Sequence, residues 1–143
     1  MYSPELFRDR SRREQIVIGG VIPAVIGVIA GVLVGVSSGA YWAIAGLAAV
    51  GGVIAGFEHQ DGWGGADRGL VGGAIYGAAL LITHAIVGTH AKVSLGSFPP
   101  LLIVVTAFIG ILLGAIGGRI ARAQRERAGG EPAEENAGPE PAP

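Results

Sequence analysis

IVIGGVIPAVIGVIAGVLVGV, residues 16–36, runs for 21 residues without a charged or strongly polar side chain. A helix of roughly 20 apolar residues crosses a hydrocarbon core about 30 Å thick, so this stretch predicts a membrane span. Three more stretches meet the same requirement, at residues 41–57, 70–88 and 98–118. The runs are continuous and lack the alternation of a barrel wall, which points to helices. The expected fold is an all-α integral membrane protein, a bundle of four transmembrane helices over residues 16–118.

The charges outside these runs give the bundle a direction. Arg8, Arg10, Arg12 and Arg13 precede the first run, Arg119, Arg122, Arg125 and Arg127 follow the last, and Arg68 lies between the second and third. Four crossings place all nine on one side and leave only Lys92 opposite. Positive flanks favour the cytoplasm, so the expected topology is N-in and C-in, in the inner (cell) membrane of a bacterium. Trp63 is placed as an anchor at the inner interface, and Tyr41 and Trp42 at the outer one. The arginine-led first run resembles a secretory signal, but it is too long for an h-region and reads as a retained anchor helix.

The ends divide the chain further. Residues 1–15 form a cytoplasmic basic segment, in which Ser3 and Pro4 look like the start of an interfacial helix. Residues 119–143 form a basic juxtamembrane stretch and an acidic tail, rich in Pro and Gly, with too little apolar surface to fold. Arg10, Arg12, Arg13, Arg119 and Arg122 are placed to meet anionic lipid headgroups at the inner leaflet.

Glycine recurs at every fourth position. The first span holds Gly19, Gly27, Gly31 and Gly35, with Pro23 at the remaining step; the third holds Gly65, Gly69, Gly73 and Gly77; the fourth holds Gly110, Gly114 and Gly118. Residues four apart lie nearly above one another on a helix, so each ladder makes a smooth groove. Helices in lipid associate by close backbone approach, and a glycine-zipper bundle follows. The number of small faces exceeds the needs of one chain and predicts a homo-oligomer.

An ionisable residue inside a span is costly and is a functional candidate by default. The four predicted spans hold no Asp, Glu, Lys or Arg, which argues against proton-coupled antiport. His84, Thr83, Tyr76 and Thr106 are the polar groups expected along a pathway or at a helix junction. The segment between the second and third spans holds Glu58, His59, Asp61 and Asp67, a candidate cytoplasmic ligand or metal site. Asp67 also reads as the N-cap of the third helix.

The chain has no cysteine, and its net charge of −1 gives no field for nucleic acid. No nucleophile–histidine pair, phosphate loop or metalloprotease spacing is present, so neither an enzyme nor a cofactor is expected. The leading expectation is a homo-oligomeric channel or passive transport protein for an ion or small solute, without proton coupling. The alternative is a non-transporting scaffold or regulatory subunit that recruits a cytoplasmic protein partner through its loop and tails.

Overall fold

The computed structural model describes residues 10–59 and 61–129, and among them every regular element is helical. Four helices are long and apolar enough to cross a membrane: α1 (Arg12–Val36), α2 (Ser38–Phe57), α3 (Gly62–Val87) and α4 (Leu101–Gly129). The interfacial helix expected around Ser3 and the tail beyond residue 129 lie outside the described residues.

The ends of the helices have local causes. Ser11 and Glu14 form a capping box at the start of α1, each side chain accepting the other's backbone N–H. Ser37 alone separates α1 from α2, and its hydroxyl accepts from the Ala40 N–H. Gly88 ends α3 at φ 66°, a left-handed conformation that favours glycine. Lys92 then returns to α1. Its N–H donates to the Val34 carbonyl at 2.8 Å and its ammonium to the Val36 carbonyl at 2.7 Å, where the helix dipole favours a cation.

Two expected boundaries are corrected. Asp61, not Asp67, caps α3: its carboxylate accepts from the Gly64 N–H at 2.8 Å, and α3 begins at Gly62. Asp67 and Arg68 therefore lie within the helix, so α3 as a whole is not free of charge. The last helix also continues past residue 118 to Gly129. There Arg125 donates to the Phe57 and His59 carbonyls at 3.1 and 3.0 Å and satisfies the C-terminal end of α2.

Around the bundle the order is α1, α3, α4, α2, with α3 against α4 as the most extensive pairing. A side chain on Gly65 would fall on the Gly114 carbonyl, and one on Gly114 on the Gly65 carbonyl. Gly69 and Gly110 stand in the same reciprocal relation, and Gly73 faces the Thr106 carbonyl. The α3 numbers rise as the α4 numbers fall, so these helices are antiparallel. On α1, a Cβ at Gly27 would lie 2.5 Å from the Tyr76 carbonyl and one at Gly31 2.5 Å from that of Leu80. Both numbers rise together, so α1 and α3 are parallel. Gly35 faces Thr89, Gly56 and Gly117 bring α2 onto α4, and Gly118 faces the Asp61 carbonyl.

What remains inside is small. Leu80 and Val34 are the largest fully buried side chains, joined by Ala30 and Tyr41 in one cluster. Large apolar side chains instead cover the outside, among them Val25, Ile29, Leu47, Ile54, Ile82, Phe108 and Leu112. Such a surface would aggregate in water and is matched to hydrocarbon.

Candidate functional site

The seam between α1 and α3 is where sequence chemistry concentrates, and it starts from a proline. Pro23 has no N–H, and its ring crowds the carbonyl four residues earlier. α1 responds by widening into a π-helical turn over Val17–Val21. In an α-helix the N–H at position 23 would serve the Gly19 carbonyl, and in a π-turn that of Ile18. Arg68 of α3 supplies both donors: Nη1 donates to Gly19 O at 3.0 Å and Nη2 to Ile18 O at 2.5 Å.

From Arg68 the α3 side of the seam continues at four-residue steps through Gly72, Tyr76 and Leu80 to His84. The α1 side is Gly19, Pro23, Gly27, Gly31 and Gly35, so the larger α3 side chains lie against a nearly bare backbone. A Cβ on Gly72 would lie 3.7 Å from Pro23 Cγ, which keeps this step in register with its neighbours. At a rise of about 1.5 Å per residue, Arg68 and His84 are about 24 Å apart along the axis, most of a hydrocarbon core.

Beyond Arg68, the Tyr76 hydroxyl and His84 Nδ1 on this row lie buried with no hydrogen-bond partner among the described residues. Tyr76 packs on the cluster of Ala30, Val34, Tyr41 and Leu80, in the interior of the bundle. Leu80 separates it from His84 and is fully buried. Thr83 flanks the outer part of the seam, 2.8 Å from where a Gly31 Cβ would stand. The seam thus carries a cation at one end, a hydroxyl at mid-depth, a dry leucine and an imidazole.

Of the four pathway residues expected from sequence, three share this seam. Thr106 does not: its hydroxyl bonds to the Leu102 and Ile103 carbonyls of its own helix, at 2.9 and 3.1 Å, on the α3–α4 side. Arg68 was not among the expected pathway residues, and the signal for it was Pro23, a helix-interior proline that leaves carbonyls in need of a donor.

The residues of the candidate ligand or metal site do not come together. Among the described residues, no three His, Cys, Asp or Glu side chains gather to hold a metal ion. Glu58 pairs with Arg10 at 2.8 Å, the His59 ring lies 3.2 Å from the Ala55 carbonyl, Asp61 is the α3 cap, and Asp67 is exposed. Arg10 is therefore engaged within the protein, as is Arg122, which meets Glu126 at 2.7 Å. Arg12, Arg13 and Arg119 remain exposed at the same end.

A shallow groove of about 220 Å3 lies at the opposite end, bordered by Ser94, Phe98, Leu101 and Val105. None of the residues singled out from sequence lines it. No protein family, curated protein or solved structure matches this chain in the comparisons made.

Proposed function

We propose that this chain is a multi-pass protein of the bacterial inner membrane that lets a small polar solute or ion cross passively along the α1–α3 seam. Both termini face the cytoplasm, glycine-zipper packing holds the helices, and copies associate as a homo-oligomer. The observation that carries the reading is the pair of buried polar atoms without partners, the Tyr76 hydroxyl and His84 Nδ1. Leaving such a group unsatisfied costs about 1–3 kcal/mol, a burden that a transient polar guest removes. An ionisable group inside a membrane protein is costly and is a functional candidate by default. Leu80 is then the closure of the path at rest.

The charge bias supports the orientation, since the exposed Arg12, Arg13 and Arg119 share one end and Lys92 lies at the other. Oligomerisation rests on less than the ladders suggested, because most ladder glycines are used between helices of one chain. Gly46 and Gly51 on α2 are different: a Cβ at either meets nothing within 4 Å, and both residues are exposed. They are the small residues left for a second copy.

Purified protein in liposomes is the direct test. Flux of ions or small polar solutes above empty vesicles is expected, and none for any solute tried would refute the reading. Orientation is tested with single cysteines introduced at Lys92 and at Arg122, because the chain has no cysteine of its own. A membrane-impermeant thiol reagent applied to whole cells should label position 92 and spare 122.

A recruiting role has its own support. α4 continues beyond the apolar span as a helix to Gly129, held against the end of α2 by Arg125. A protein captured through this extension, with no flux in liposomes, would favour that second reading.

A further inference from the structure

We infer that the solute admitted by the α1–α3 seam is a small inorganic anion. The inference rests on the permeation reading above and adds the sign and size of the solute.

The sign follows from what the seam offers. Arg68 places a guanidinium at one end, where it is half-buried against α1. The Glu58 carboxylate acts on Arg68 from the same end of the bundle, but it also pairs with Arg10 at 2.8 Å, so two guanidiniums against one carboxylate leave this end net positive. Along the row itself, Arg68 and Tyr76 present N–H and O–H donors, His84 Nδ1 adds a third in the tautomer that carries its proton there, and none of the side chains is a carboxylate. The other nearby acids are committed or outward: Asp61 accepts from Gly64, and Asp67 is exposed.

A cation would need oxygen ligands instead. The carbonyls on hand, those of Ile18 and Gly19, already accept from Arg68, so a metal ion there would meet both a like charge and occupied oxygens. A neutral solute could use Tyr76 and His84 equally well, but it would gain nothing from the guanidinium. An anion uses all three groups.

The size follows from the packing. Leu80, Val34 and Ala30 are completely buried beside the row, and Gly27 and Gly31 bring the two backbones into contact. Backbones in contact leave no standing channel, so passage requires the helices to part, and an ion of few atoms, the size of a halide or nitrate, needs the smallest parting.

The test uses the full chain in liposomes loaded with potassium chloride or potassium nitrate, with valinomycin to carry the compensating charge. Chloride or nitrate efflux that requires valinomycin is the expected result. Passage of potassium when a protonophore replaces valinomycin, or of glycerol, with neither anion moving, would overturn the anion inference and leave the permeation reading standing. No flux of any solute would overturn both.

Two variants locate the effect. Arg68→Gln keeps an amide donor for the Gly19 carbonyl but removes the charge, whereas Arg68→Lys keeps the charge and loses the fork. Anion efflux is expected to be at least about tenfold lower in Arg68→Gln than in Arg68→Lys, a difference of about 1.4 kcal/mol in barrier. Equal rates would overturn the role of the charge. Tyr76→Phe changes no packing volume beyond one oxygen and guards against variants that fail to fold. Slower efflux with an unchanged or higher melting temperature is expected, and unchanged efflux would remove Tyr76 from the path.

Discussion

Arg68 donates to the carbonyl of Gly19 at 3.0 Å, the oxygen for which Pro23 supplies no helical N–H. A proline in one helix and an arginine in another thus form a single hydrogen-bonding unit across the α1–α3 seam. The chemistry is that of a helix terminus moved to the inside of a helix: carbonyls without intrahelical donors are served by a side chain. Because the donor is a cation, the arrangement also fixes positive charge against the first turns of α1.

This coupling can be measured. Arg68→Ala strands two carbonyls and is expected to destabilise the bundle by about 2–5 kcal/mol. Pro23→Ala restores the missing N–H, so the same arginine removal in that background should cost less, with a coupling of about 0.5–3 kcal/mol. Reversible unfolding of the four proteins in mixed micelles gives the cycle. Strict additivity would show that the proline and the arginine act independently.

Glycines in different surroundings should respond in opposite ways. A Cβ on Gly69 would fall on the Gly110 carbonyl and lie 3.1 Å from the Ile111 nitrogen, backbone atoms that cannot turn aside. Gly69→Ala must part α3 from α4 and is expected to cost about 1–3 kcal/mol. Gly46→Ala meets nothing within 4 Å and should gain up to about 1 kcal/mol from helix propensity in the isolated protomer. Melting temperatures of the two variants under monomeric detergent conditions decide the matter, and a loss at Gly46 would mean that its face is already covered.

The sequence made the spans legible because a bilayer demands long apolar runs and nothing else in the chain resembles them. It misled at the start of α3, where taking Asp67 as the N-cap left Gly62 and Gly64 outside the helix, and glycine is costly within one. The packing of α4 reverses that cost: Gly65 lies against Gly114, and Gly62 against the side chain of Arg119. The ladder Gly65, Gly69, Gly73, Gly77 already implied a helix beginning before Asp67, since a four-step groove exists only on a helix. The polar seam was half legible. Tyr76 and His84 stood out as polar groups in a span, but their alignment with Arg68 needed the parallel pairing of α1 and α3, which connects residues far apart in the chain.

Lys92 offers a smaller and separate test. Its ammonium donates to the Val36 carbonyl at 2.7 Å, and its backbone to Val34. Lys92→Met removes the first bond and the charge at the end of α1, with an expected loss of about 0.5–1 kcal/mol in thermal unfolding. Lys92→Arg should retain most of that stability. Thiol labelling of a cysteine at position 122 should show the same orientation in both variants, because the remaining arginines still outweigh this one position.

Leu80 separates the two unpartnered polar atoms, and its removal tests whether they belong to one path. It is fully buried together with Val34 and Ala30, and its backbone carbonyl faces Gly31. Leu80→Ala deletes side-chain volume at the narrowest part of the seam, and in a packed core such a change costs about 2–5 kcal/mol. Stability and permeation should therefore move in opposite directions: a lower melting temperature with faster flux in liposomes. Leu81→Ala, one residue along and only partly buried against the same cluster, controls for general loosening of the bundle. If both variants raise flux equally, the leak comes from the loosened bundle and not from a path past position 80. If Leu80→Ala alone raises it, water and ions reach Tyr76 from the His84 side, and the leucine is the dry closure between them.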